Sequence, residues 1–289
     1  MTDKLKYRAI KDKIFFYLVC ALTSVALIPL ISIIWELVKK GYKQINLSFF
    51  LEVAPSTLDA MLAKTNGETI PGGIANGIVG TLIMVGLASL IAIPIGLLAG
   101  IQLAENAKTK FSSIVRFSTE LLNGIPSIVL GMIAYAWIVK PITSGYSALG
   151  GSVALAIMMI PLIVRSTEES IKMLPSSLKE ASLALGASYS TTVIRIILPS
   201  AMGGLFTGIL LAISRVMGET APLILTALGS SVISLNLDKA SSAIPLLIWE
   251  FYNDPYLVDM IWSSSLFLLI LILIFNITAK KISKKWAIQ

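Results

Sequence analysis

The 289-residue chain has no histidine and a single cysteine, Cys20. The first absence removes the commonest metal ligand and the commonest general base, and the second leaves no intramolecular disulfide. Zinc chemistry and His-dependent triads are excluded. No G-x-x-x-x-G-K-[ST] string occurs, so the chain lacks the loop that cradles nucleotide phosphates. Charge is scarce as well, at 13% of residues against roughly 25% in soluble domains. Hydrophobic residues make up 56%, and the mean hydropathy is +0.85. These values describe a membrane protein.

A membrane-crossing helix needs about 20 mostly apolar residues. Six runs qualify, at approximately 14–36, 76–104, 114–139, 148–169, 201–228 and 258–279. The first follows Lys4, Lys6, Arg8, Lys11 and Lys13, but it is too long for a signal-peptide core and has no small-residue cleavage site. It is read as a retained span behind a cytosolic N-terminus, residues 1–13. With that terminus inside, fifteen Lys and Arg flank the inner ends of the spans and six the outer ends. The positive-inside bias therefore places both termini in the cytosol. The net charge of +7 is a topology signal rather than a nucleic-acid footprint. Residues 14–289 form one transmembrane domain, all-α and polytopic, with no room for a soluble domain between spans. Gly and Pro inside most spans, including Pro94, Pro126, Pro161 and Pro222, point to a packed, moderately kinked bundle.

The inner loop from about 171 to 199 contains Leu174 to Pro199, LPSSLKEASLALGASYSTTVIRIILP. Ser177-x-x-Glu180 has capping-box spacing, so a short helix is expected to start there. Gly186 is placed to end it, and a second short helical stretch from about Ser190 should run into Pro199. By periodicity alone, Leu178, Ala181 and Leu185 also permit an amphipathic linker on the membrane surface. The full string, Glu180-Ala181-Ser182, three residues, Gly186, nine residues, Ile196-Ile197-Leu198-Pro199, resembles the EAA loop of ABC importer permeases. It departs only at Ser182, where that family usually has alanine. The resemblance implies a type I permease architecture. It also implies a coupling helix seated in a groove of a cytosolic ATPase, with Glu180, Ala181 and Gly186 at its motif positions. ATP would then be bound and hydrolysed by that separate subunit, and this chain would carry no cofactor and be no enzyme.

Ionisable residues inside a bilayer cost roughly 2.5 to 3.5 kcal/mol each on insertion scales, so each calls for a partner or a function. Arg215 falls in the middle of the fifth run, with Glu219 four residues on. In the fourth run the uncharged stretch from Leu149 to Val164 is only sixteen residues, which draws Arg165 and Glu168, at i and i+3, towards the core. The bland alternatives are a structural Arg215–Glu219 ion pair and an Arg165 that snorkels to the interface. Arg215-Val216-Met217-Gly218-Glu219-Thr220-Ala221-Pro222 resembles the R-x-x-G-E-T-A-P signature of permeases of the high-affinity phosphate ABC importer. Arg165-Ser166-Thr167-Glu168 is similar to that family's R-T-T-E-like segment. Asn123 to Val129 and Gly73 to Thr81 resemble its third-span and second-span segments, and the overall likeness is to the PstA-type subunit rather than its PstC-type sister. The resemblance implies a bacterial or archaeal cytoplasmic-membrane permease moving inorganic phosphate inward. Its implied partners are a sister permease, two ATPase subunits and an extracytoplasmic phosphate-binding protein.

The chemistry agrees with that implication. Arg presents a planar fork of donors suited to an oxyanion, and hydrogen phosphate retains O–H donors that ionised Glu219 or Glu168 could accept. Sulfate has no such proton and would be repelled. Three rival classes stand against it. A permease for another oxyanion, such as sulfate or molybdate, would keep the EAA loop without the paired R-x-x-E and R-x-x-G-E-T-A-P segments. A secondary transporter or channel has no need of the loop. An intramembrane enzyme lacks a nucleophile beside a base, since Cys20 has no evident activating partner.

Overall fold

The computed structural model describes residues 2–286, and the side chains of residues 2–6, 9 and 282–286 are not described. The contributions of Lys4, Lys6, Lys284 and Lys285 to the charge count, like the two terminal positions themselves, lie outside the described residues. Among the described residues regular structure is helical throughout, apart from one isolated bridge between Leu228 and Ser241. The helices are α1 (Thr2–Gly41), α2 (Leu47–Leu51), α3 (Thr57–Asn66), α4 (Ala75–Glu105), α5 (Lys110–Gly124), α6 (Ser127–Ala134), α7 (Ala148–Lys172), α8 (Ser176–Ala184), α9 (Tyr189–Thr192), α10 (Leu198–Val216), α11 (Ala221–Thr226), α12 (Ile244–Tyr252) and α13 (Val258–Trp286).

Among the described residues, five continuous helical runs are long and apolar enough to cross a membrane, namely Ile10–Gln44, Ala75–Glu105, Ala148–Lys172, Tyr189–Val216 and Val258–Lys281. The central one is α7, whose apolar window is 67% buried, while that of α1 is exposed; at the end of α1, Gly41 packs against Trp262 and Leu266 of α13 and Lys40 lies over the Trp262 ring. Small residues explain how α7 is enclosed. Ala88, Ala92, Gly96 and Gly100 recur every fourth residue on α4 and let its backbone come close. A Cβ on Gly96 would lie 2.7 Å from Cβ of Ile163, and one on Gly100 would lie 2.5 Å from Cβ of Thr167. Towards the other end, a Cβ on Gly151 would meet Sδ of Met84 at 2.7 Å. Partner numbers rise together, so α4 and α7 run parallel. On α10, Gly208 faces Ser166 and Gly204 faces Ser170, so α10 runs antiparallel to α7.

Parallel α4 and α7 fix what lies between them. The chain must return from the Glu105 end to the Ala148 end, and α5 with α6 makes that return, which gives a sixth crossing. The expected single helix over 114–139 is corrected here: two helices meet at Ile125–Pro126 and bend by 108°. Ile125 is extended (φ −75°, ψ 132°), as a residue before proline prefers, and Pro126 cannot donate a helical hydrogen bond. The expected span over 201–228 is interrupted too. Helix α10 ends at Val216, a turn occupies 217–220, and α11 restarts with Pro222 in its first turn, where a missing N–H costs nothing.

The far end of the bundle, opposite α8, is knitted onto the start of α4. The Asn76 side chain accepts from Ala54 N and donates to the Ser230 carbonyl at 2.7 Å, and Thr81 Oγ1 accepts from Ile244 N at 2.9 Å. Gly80 carries no side chain because a Cβ there would sit 1.8 Å from the Ser242 carbonyl oxygen.

Candidate functional site

The breaks in the two interrupted crossings face each other. Gly131 of α6 lies against the Pro222 backbone, where a Cβ would be 2.7 Å from Cα, so α6 and α11 approach at backbone distance. Beside this contact is a cavity of about 200 Å³ lined by Asn123, Ile125, Pro126, Ser127, Arg215 and Glu219, among others. Arg215 lies in the last turn of α10, and its Nε is 3.7 Å from Glu219 Oε1, within ion-pair range but too long for a hydrogen bond. The Arg215 side chain is 52% exposed and that of Glu219 20%. The guanidinium is thus held near a carboxylate without being saturated by it, and donors remain for a further anion.

Arg165 and Glu168 line a second cavity of about 230 Å³ with Arg116, Thr119, Glu120, Asn123, Glu169 and Lys172. They line it together, but each has a different ion-pair partner. Arg165 Nε reaches Glu169 Oε1 at 2.9 Å in an exposed i, i+4 pair. Glu168, with a side chain only 10% exposed, takes 2.6 Å and 2.5 Å bonds from Arg116 Nη2 and Lys172 Nζ. The cause is azimuth: Glu168 faces inward onto α5, whereas Arg165 and Glu169 share the outer side of α7. Three basic and three acidic side chains balance this cavity, so an anion within it is offered cations only in competition with carboxylates.

Asn123 lines both cavities and so joins the two predicted charge clusters across the third-crossing break. In the sequence Arg116 is only one of the fifteen inner-side Lys and Arg, and Asn123 and Ser127 stand out only within a resembling segment. A signal was present: Ser112, Arg116, Thr119 and Asn123 recur at i, i+4, i+7 and i+11, a polar stripe along one face of an amphipathic helix. Opposite that stripe, Phe111, Ile114, Phe117 and Leu121 are exposed.

Helix α8 starts at Ser176 after an extended Pro175, with no side-chain cap, so the expected Ser177–Glu180 capping box is absent. Pro175 supplies the entry instead, its fixed φ of −65° leading straight into the helix and its carbonyl accepting from Leu178 N. At the other end Gly186 has φ +80°, its N–H bonds to Leu183 O, and Ala187 N–H bonds to Ser182 O. That is a Schellman termination, which needs a left-handed residue at this position. The expected second stretch is also longer than anticipated. Helix runs from Tyr189 through Pro199 to Val216, with a π-helical turn at Val193–Ile197 just before the proline. Glu180 and Ala181 are exposed, as are Leu183 and Leu185, the latter at 89%. Ser182, the departure from the motif, is buried and hydrogen-bonded to Thr192 Oγ1 at 2.8 Å.

Residues 92–287 match the family model of the binding-protein-dependent transport system inner membrane component. The chain is 34% identical to the phosphate transport system permease protein PstA of Pasteurella multocida, covering 94% of each chain. It is 36% identical to the protein of that name from Xylella fastidiosa, over 84% of this chain and 82% of that one. It is also 35% identical to a probable PstA of Methanocaldococcus jannaschii, over 92% and 91%. Among solved structures, an inward-facing MetNI methionine ABC transporter aligns with a TM-score of 0.61 at 21% identity, covering 73% of this chain and 94% of that chain, and this likeness is one of fold. A multi-span helical chain with an EAA-type loop between its fourth and fifth crossings, it belongs to the family of binding-protein-dependent transport system inner membrane components, the permease subunits of ABC importers.

Proposed function

We propose that the chain is the PstA-type permease subunit of an ATP-driven importer that carries inorganic phosphate into the cell. Its partners are a sister permease, two ATPase subunits on the α8 side and an extracytoplasmic phosphate-binding protein, and both of its termini are cytosolic. The observation that carries the reading is the position of Arg215 and Glu219 at a break in the fifth crossing, on the wall of a cavity that also opens at the break in the third. An unsaturated guanidinium there offers an oxyanion the donors it would lose on leaving water. The carboxylate beside it accepts an O–H that hydrogen phosphate has and sulfate lacks. Interrupted helices suit this role because backbone freed from helical bonding is tolerated at membrane depth where it lines a cavity. The names borne by the relatives support the same cargo. Arg165, Glu168 and Arg116 form the α8-side part of the route, and Glu180, Ala181 and Gly186 present α8 to the ATPase.

The test is ATP-dependent uptake of labelled phosphate by the co-expressed complex in liposomes, with sulfate and molybdate as competitors. Phosphate uptake that resists excess sulfate is expected. Uptake of sulfate or molybdate in place of phosphate would refute the assignment.

A further inference from the structure

A short helix carried only by its two chain connections can still rotate about the line joining them. Helix α8 hangs in this way between α7, through Met173 to Pro175, and the Tyr189–Val216 run, through Leu185 to Ser188. The Ser182–Thr192 hydrogen bond adds a tie on the side where the chain already connects. A third tie is of a different kind. Lys179, in the middle of α8, forms an ion pair with Glu105, the last residue of α4 and 74 positions away. Tyr189 OH donates to the same Glu105 Oε2 at 2.8 Å, and Lys179 Nζ lies 5.0 Å from the Tyr189 ring centroid. The Glu105 side chain is 7% exposed. A carboxylate so enclosed is held in place by its partners rather than solvated.

We infer that the Glu105–Lys179–Tyr189 cluster is a positioning device that fixes α8 to α4 and makes α4 a rod carrying coupling-helix motion to the far end of the bundle. The inference rests on the reading that α8 meets an ATPase. Three non-collinear attachments locate a rigid body, so α8 cannot turn without moving Glu105. Helix α4 is continuous over 31 residues, about 46 Å at 1.5 Å per residue. It is braced on both sides of Pro94, by Met84 against Gly151 before it and by Gly96 and Gly100 against Ile163 and Thr167 after it. Its opposite end carries Asn76 and Thr81, the two side chains that hold the loops at Ala54, Ser230 and Ile244. A displacement at Lys179 therefore reaches those loops through one packed element, as small shifts do in packed helices.

The test uses the full reconstituted complex and reads labelled phosphate delivered per ATP hydrolysed, a ratio that loss of assembled protein alone does not alter. Glu105→Gln removes the charge and keeps the shape. It is expected to lower the ratio about fivefold or more, the low end of typical coupling between sites. The exchange Glu105→Lys with Lys179→Glu is expected to restore most of it. A wild-type ratio in Glu105→Gln, or no restoration by the exchange, would overturn the inference. Gly186→Leu is run alongside. If that variant loses ATPase association while Glu105→Gln keeps its ratio, only the rod fails. Normal uptake and association in Gly186→Leu would sink the coupling reading itself, and the inference with it. Should Glu105→Gln not assemble, Tyr189→Phe decides: it deletes one hydroxyl and keeps the ring beside Lys179. A lowered ratio in Tyr189→Phe supports the inference, and an unchanged ratio overturns it.

Discussion

Gly186 offers a perturbation whose size can be worked out from the backbone alone. An ideal Cβ built there meets nothing within 4 Å, so no substitution is penalised by crowding within the chain. The cost is conformational. At φ +80° an L side chain pays about 1–2 kcal/mol for the left-handed region, whereas asparagine enters it more readily because its side chain bonds locally. At 1.4 kcal/mol per tenfold, Gly186→Leu should depopulate the terminated form of α8 by a factor of about 5 to 30. ATPase affinity falls by the fraction of loops that remain competent. Gly186→Asn should recover most of it. The assay is co-purification of the ATPase subunit across a dilution series, paired with ATP-dependent uptake, each normalised to inserted permease. The ranking Gly, then Asn, then Leu is required. Equal affinity for all three would show that the left-handed termination is irrelevant to docking, and an Asn variant as poor as Leu would point to contact crowding at the ATPase instead.

Further outcomes follow from the two cavities and the bundle. Arg165→Lys keeps the charge but loses the planar fork, so uptake should fall while expression and assembly hold; full activity would mark Arg165 as an interfacial residue. Glu168→Ala leaves Arg116 and Lys172 facing each other without their shared carboxylate. Since both cations are partly exposed, thermal unfolding of the complex in detergent should register a loss of about 1–3 kcal/mol, and an unchanged midpoint would refute this pairing. Gly100→Leu forces a side chain into Thr167 and should cost about 1–3 kcal/mol or more by the same measurement, with wild-type stability excluding the close α4–α7 packing.

Much of this architecture was legible in the sequence because hydrophobic run length is a strong signal. The runs expected at 76–104 and 148–169 correspond to Ala75–Glu105 and Ala148–Lys172. The breaks were harder to read. Pro126 and Pro222 were visible, but Pro94 and Pro161 sit inside continuous helices. Whether a proline interrupts a span depends on neighbours that can take up freed backbone groups, which one chain's sequence does not specify. The Ser177–Glu180 box failed for a local reason, since an extended Pro175 starts the helix two residues earlier than a Ser177 cap would. The ion-pair partners of Arg165 and Glu168 were not legible, because Glu168 takes its bond from Arg116 on another helix while Arg165 turns outward to Glu169. Gly186 was legible for the opposite reason: its requirement is a backbone angle set within its own turn.

The central claim is that Arg215 and Glu219 meet the phosphate rather than merely hold the fold. Replacing either alone strands a charge and confuses misfolding with lost transport, so the two are removed together. Arg215→Met with Glu219→Gln leaves no net charge and roughly conserves volume. Labelled-phosphate uptake by this double variant in liposomes, normalised to assembled complex and accompanied by ATP hydrolysis, is the deciding measurement. The account predicts an assembled complex that hydrolyses ATP and moves no phosphate, and near-normal uptake would contradict it.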